Sequence, residues 1–342
     1  MIAVLSRAFH RDRRPYTLLV LVIIAVALVD GGRGYFLSTA TAFSVMQLFA
    51  TYGLVSLGLG LSLLVREFDI STAGMVTLAG AVAVLTGVDN PWLGIAAALA
   101  VGLAGGLLQG LIMTYLNLNS VAVTVGGLLT FEGATSVLTG NQSIGYPRMS
   151  LALALNAPIG GVLSVRSAIV VAIFVMMALV MAYTRIGRDI LATGGDRRGS
   201  GVAGVNTKAV VVGVFAASGV FCALSGALLS YGLAAASPSA LSDVLAPAAA
   251  GAIIGGVSLV GGRGSPMGIA AGVLVLCVLR SGLNAAGASS HVHDIATGCI
   301  LIAVAIADAP DLSRRLTEWR LHRQAMRPAP LHTPENASQE TI

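Results

Sequence analysis

The chain has 342 residues, of which 56% are hydrophobic and only 10% charged, and its mean hydropathy is +0.87. A soluble domain of this size needs about a quarter of its residues charged to cover its surface, so a water-soluble globular enzyme is excluded. The formal charge of +5 lies in short segments between apolar runs, which points to membrane orientation rather than to nucleic acid.

Residues 1–15 form a basic segment carrying Arg7, Arg11, Arg13 and Arg14. The apolar run Tyr16 to Val29 resembles a signal peptide, with Ala25-Val26-Ala27 mimicking a cleavage site. Leu28 and Val29 continue the run, however, so it reads as a retained first span. Further spans follow at about Phe43 to Val65, Ser71 to Gly87, Trp92 to Leu116, Val121 to Thr139 and Val165 to Thr184. Beyond the charged segment 185–208 come Ala209 to Leu233, Val244 to Val260, Pro266 to Leu283 and Ile295 to Ala307. These runs are long, rich in Leu, Ala, Val and Gly, and lack two-residue alternation, so they predict helices rather than a barrel. The expected fold is all-α, a polytopic transmembrane helical bundle of about ten spans occupying residues 16–309, with both termini cytoplasmic. In this arrangement only Arg33, Arg148, Arg166 and Arg280 of the 20 Lys and Arg residues fall outside, as the positive-inside rule requires.

The external connection Asn141 to Ser164, with Gly145, Pro147, Pro158 and Gly160-Gly161, reads equally as a docking surface or an ordinary loop. Residues 310–342 carry Arg314, Arg315, Arg320 and Arg323 and then become rich in Pro, Ser, Thr and Asn, a pattern of anchoring followed by disorder. Within the spans, Gly102 to Gly106 and Gly268 to Gly272 place small residues at helical spacing, which predicts close backbone approach. Cys222, Cys277 and Cys299 lie in apolar runs with no CxxC spacing, and read as small core residues rather than metal ligands.

Chemistry-bearing residues are few. No GxxxxGK[ST] sequence occurs and Lys208 is the only lysine, so the chain carries no P-loop of its own and energy for any transport must come from elsewhere. His291, His293 and Asp294 sit in an expected outside loop without a GxSxG elbow, a weak basis for a membrane enzyme. Glu132 is the ionisable residue placed clearly at membrane depth, and an ion-coupled secondary carrier built on it is the alternative reading. Asp69 or Ser71 is expected to cap the helix that follows them, and Gly255 to Ser265 reads as a tight inside turn.

Taken together, these segments resemble the ribose-type, sugar and polyol branch of ATP-binding-cassette (ABC) importer permeases. The family pattern Gly-Ile-Asp-Leu-Ser is similar to Phe68-Asp69-Ile70-Ser71. A second, Gly-Gly-x-Ser-Leu-x-Gly-Gly-x-Gly-Ser, matches Gly255, Gly256, Ser258, Gly261, Gly262 and Gly264, ending at Ser265. The pattern Gly-Arg-x-x-x-Ala-x-Gly-Gly, ending in Gly-Ile-Asn-x-Lys, is similar to Gly187, Arg188, Gly194, Gly195, Gly204, Asn206 and Lys208, and Gly282-Leu283-Asn284 is a further match. The motifs occur in family order from about Phe43 to Asp308.

The resemblance implies a permease subunit in a bacterial inner membrane that moves a monosaccharide, polyol or similar small polar solute and is not itself an enzyme. It implies a second permease subunit, identical or different, cytoplasmic ABC ATPases that hold the ATP and Mg, and an external solute-binding protein. No cofactor is expected on this chain. Segment 185–208 is then the ATPase-coupling segment, with Asp196 capping a short helix from Arg197 to Ala203 and with Gly194, Gly195 and Gly204 as flexible ends. The sequence departs from the family at Arg197 and Arg198, where acidic residues are common, and at Arg66-Glu67, where small residues are usual. Two arginines there predict an acidic cleft on the cognate ATPase. Gln109, Glu132 and Asn284 are the expected polar residues of the solute path.

Overall fold

A computed structural model describes residues 13–29, 36, 38–238 and 244–308. The basic segment at 1–12, Arg33 and the tail at 310–342 lie outside the described residues. Met1–Leu301 form one compact unit; of the second, Ile302–Ile342, the described part is the end of the last helix.

The long apolar runs become helices because hydrocarbon satisfies no backbone polar group, leaving each N–H and C=O to bond within its own helix. In chain order these are α1 (Arg14–Val29), α2 (Thr39–Leu64), α3 (Thr72–Thr86), α4 (Pro91–Leu116) and α5 (Ser120–Thr139). After α6 (Met149–Asn156) come α7 (Val165–Tyr183), α8 (Arg185–Gly195), α9 (Arg197–Val202) and α10 (Thr207–Leu233). The series ends with α11 (Leu245–Ile254), α12 (Pro266–Ala285) and α13 (Ser290–Asp308). Six of them, α2, α4, α5, α7, α10 and α12, are long and apolar enough to cross a membrane, and shorter apolar stretches lie in α1, α3, α11 and α13.

The centre of the bundle is α2, whose residues from Gly53 to Leu64 are buried without interruption. Such a helix needs apolar neighbours all round, and α10, α12 and α11 supply them. α10 in turn packs on α4 along a seam of glycines. A Cβ on Gly106 would collide with the Phe215 carbonyl, and one on Gly219 with the Gly102 carbonyl, so the two backbones meet where only glycine fits. α4, α5 and α7 instead present apolar side chains outward, among them Leu108, Leu129, Val137, Val175 and Leu179.

Of the four shorter apolar helices, two lie where the sequence predicts a full span inside the bundle. α3 has 15 residues, about 22 Å at 1.5 Å per residue, against a hydrocarbon core of about 30 Å. α11 has only 10 residues, so the helix expected over Val244 to Val260 ends at Ile254. Glycine stops it: Gly256, Gly261, Gly262 and Gly264 all take positive φ, which the chain needs to fold back toward α12.

The long connection at 141–164, expected to lie outside, is folded. β1 (Ile144–Gly145) pairs antiparallel with β4 (Ala235–Ala236), and β2 (Pro158–Ile159) with β3 (Leu163–Ser164). Tyr146 packs on Tyr231, ring centroids 4.7 Å apart, and donates to the Gly87 carbonyl at 2.9 Å. Burial pushes the Tyr146 phenol up from its ordinary value against the opposing effect of Arg148, which keeps that donor protonated.

Candidate functional site

The charged segment forms two short helices. α8 buries Gly187, Ile190, Thr193 and Gly194 and turns Arg185, Ile186 and Arg188 outward. Asp196 then caps α9 as expected, its Oδ1 accepting from the Arg198 amide at 3.0 Å. Only Ser200 in α9 is buried, so this helix stands out from the bundle with Arg198 and Val202 exposed. Asn206 caps α10 by accepting from the Ala209 amide at 3.1 Å. Gly204 takes φ +88°, a value that suits glycine at the turn between the two helices.

Gly194 is not a flexible end. A Cβ there would collide with the Leu64 carbonyl, and Gly195 borders Gly262, so two glycine-bearing segments meet the end of α2 under α9. The Gly262 amide donates to the Leu64 carbonyl at 2.9 Å. Arg66, at φ +64°, donates through Nη2 to the Gly195 carbonyl at 2.6 Å. Arg197 donates through Nη2 to the Val65 carbonyl at 3.2 Å and pairs with Glu67 at 2.8 Å. The coupling-segment and glycine-turn motifs, distant in sequence, are therefore one junction built on the end of α2. The two departures from the family pattern, Arg66-Glu67 and Arg197, bond to this same junction.

From that junction the chain runs back into the bundle as non-helical residues 67–69. Such backbone is tolerated at membrane depth only when enclosed by protein. Here the Phe68 carbonyl accepts from Thr124 Oγ1 at 3.1 Å, and the Phe68 amide donates to Ser120 Oγ at 3.4 Å. Asp69 follows, 3% exposed. Its Oδ1 accepts from the Ser71 amide at 3.1 Å and from Ser71 Oγ at 2.6 Å, while its Oδ2 accepts from Ser218 Oγ on α10 at 2.9 Å. Capping does not account for this arrangement. Ser71 makes no side-chain cap bond, and the second carboxylate oxygen is spent on another helix. Asp69, Ser71, Gln109, Ser218 and Cys222 line one cavity of about 10 Å³.

A larger groove of about 260 Å³ opens beside the junction, lined by Glu67, Asn117, Arg197, Thr207 and Lys208. The Lys208 ammonium lies 5.5 Å from the centre of the Tyr115 ring.

The three expected path residues do not meet. Gln109 lines the Asp69 cavity, Glu132 is half-buried on α5, and Asn284 is exposed near the end of α12. His291 and His293 lie in the first turn of α13 rather than in a loop. His293 is buried, His291 is exposed, and Asp294 pairs with Arg280 at 3.5 Å. Among the described residues no group of His, Cys, Asp and Glu could hold a metal ion. Arg166 is not a surface residue but 5% exposed, donating to Asn156 Oδ1 at 3.1 Å and Thr51 Oγ1 at 3.4 Å. Sequence reasoning missed Ser218, since a serine in an apolar helix carries no signal of its distant partner.

A membrane bundle with enclosed non-helical breaks, a projecting charged helix pair and no phosphate-binding loop of its own is the architecture of a transport permease. The chain belongs to the family described as branched-chain amino acid transport system / permease component, whose model matches residues 41–305. It is similar to the ribose import permease protein RbsC of Escherichia coli strain K12, 27% identical over 297 residues covering 85% of this chain and 92% of that one. It is likewise 27% identical to the RbsC protein of Bacillus subtilis over 304 residues, covering 86% and 91% of the two chains. With the autoinducer 2 import system permease protein LsrC of Yersinia enterocolitica it is 30% identical over 312 residues, covering 89% and 84%. No solved structure matches. The resemblance carried by the motifs thus holds: this is a ribose-type ABC importer permease, a multi-pass membrane protein.

Proposed function

We propose that the chain is the translocating subunit of an importer for a monosaccharide, polyol or similar small polar solute, driven by separate ATPase subunits. The observation that carries this reading is the junction under α9. A projecting helix is tied by Arg197, Arg66 and Gly194 to the end of the central helix α2 and to the break that enters the bundle. Force applied to α9 from the water side has a short covalent and hydrogen-bonded route to Asp69 and α10. ATP-driven closure of the ATPases would use that route to reorient the spans in alternating access.

On this reading α8 and α9 dock on a cytoplasmic ABC ATPase that holds ATP and Mg. A second permease subunit covers part of the apolar outer surface, and a solute-binding protein delivers cargo from outside. About ten spans, both termini inside and a bacterial inner membrane complete the assignment. Because Arg197 is engaged by Glu67, the charge offered to an acidic ATPase cleft is chiefly that of Arg198, Arg188 and Arg185, which are exposed.

Uptake into proteoliposomes tests the proposal. Accumulation that requires ATP inside, the partner ATPase and the binding protein is the expected result. Uptake that follows an ion gradient without ATP would favour the carrier built on Glu132, and turnover without transport would favour an enzyme.

A further inference from the structure

The junction explains what lies below Asp69, but not the charge of Asp69 itself. Its carboxylate accepts from Ser71 N, Ser71 Oγ and Ser218 Oγ, so all three donors are neutral. Among the described residues it makes no ion pair. Donors aimed at both oxygens solvate the ionised form, yet an ion held inside the bundle without a counter-charge costs several kcal/mol in general. A second polar atom shares the site. Gln109 is 6% exposed, and its buried Oε1 has no hydrogen-bond donor among the described residues. Such an acceptor is itself costly. Both residues line the cavity of about 10 Å³ between α3, α4 and α10, a space that takes one water-sized particle.

We propose that this cavity is a binding site for one small alkali cation of the size of sodium. The cation would balance the Asp69 carboxylate and be ligated by Asp69, Gln109 Oε1 and the free lone pairs of Ser218 Oγ. A single carboxylate fits a single positive charge, because a divalent ion would leave one unit uncompensated. The three ligands named are all oxygen, the ligand type of hard cations rather than of soft transition metals, and the Cys222 thiol that also lines the cavity is not among them. The position also suits an ion. The cavity sits where the non-helical break meets the start of the short helix α3, the kind of interrupted backbone that coordinates small cations in membrane bundles. An occupant there would pin the break to α4 and α10 at once, and so set the stability of the bundle around it.

The test needs no transport. The full chain, purified in detergent, is melted in sodium chloride and in choline chloride of equal ionic strength at several pH values. Sodium is expected to raise Tm saturably, by about 4 °C or more, with choline doing nothing. Asp69→Asn, which keeps the shape and removes the charge, should abolish the sodium shift. Gln109→Leu should raise the half-saturating sodium concentration by about tenfold, the loss of one ligand, and it carries the test if Asp69→Asn does not fold. Equal Tm in sodium and choline would overturn the proposal, as would a sodium shift retained in Asp69→Asn. Stabilisation by acidification alone would also overturn it, by showing that Asp69 takes a proton instead.

Discussion

Arg197 Nη2 lies 2.8 Å from Glu67 Oε1 and also donates to the Val65 carbonyl. This one guanidinium ties the first turn of α9 to the segment that leads, two residues later, to Asp69. Arg197 is about half exposed and Glu67 nearly buried, so screening reduces the pair to about 1 kcal/mol of stability. Its value lies in geometry. Arg197→Glu should place two carboxylates together and lower ATPase stimulation in the assembled importer at least several-fold. The double variant Arg197→Glu with Glu67→Arg should recover much of it. ATPase assays on the two variants check this, and failure of the swap to rescue would place the role of Arg197 on the partner instead.

Arg198 is the contrasting neighbour. Its side chain is exposed and has no partner among the described residues. Arg198→Glu should therefore leave Tm of the isolated permease unchanged, within the roughly 0.5 kcal/mol usual for surface changes. The affinity for the ATPase should fall by about tenfold, the effect of one reversed charge at a docking site. Co-purification and a binding titration measure the two quantities separately.

Ser218→Ala removes the one inter-helix donor to Asp69 Oδ2 among the described residues. Leaving a buried carboxylate oxygen without its donor costs about 1–3 kcal/mol, so Tm should drop. Ser218→Cys, which keeps a weak donor, should drop it less. Melting curves in detergent compare the two.

Glycine substitutions should differ in sign by position. Gly106→Ala drives a methyl group into the Phe215 carbonyl on α10, whereas Gly126→Ala on α5 meets nothing within 4 Å. The first should destabilise by about 1–3 kcal/mol as overpacking. The second should leave stability unchanged or raise it slightly, because alanine favours helix by about 1 kcal/mol over glycine. Thermal melts of the isolated subunit decide both.

Much of the fold was legible because hydrocarbon imposes a simple rule on sequence. Long apolar runs had to be helices, and the boundaries expected at Leu116, Thr139 and Leu233 fall at the observed helix ends. Asp196 before a short polar run marked the cap of α9 for the same local reason. The runs that misled were those in which apolar composition continues while backbone geometry does not. Val257, Leu259 and Val260 extend a hydrophobic pattern past the end of α11, but the glycines around them adopt turn conformations. Gly194 looked like a flexible end because a glycine's open conformations are visible in sequence, whereas the carbonyl of Leu64 that leaves no room for a side chain is not.

The sequence by itself determined that this chain lives in a membrane, that a charged segment interrupts its apolar runs and which family its motifs follow. Each of those depends on local composition or on residues close together in the chain. Only the tertiary structure decided that Arg66, Glu67 and Arg197 belong to one junction, and that Asp69 reaches Ser218, 149 residues away, beside Gln109. A buried carboxylate is stabilised by whatever donors the packing brings to it, and a helix cap or a surface loop would be written with the same letters. The function of Asp69 therefore follows from the partners that folding assembles around it.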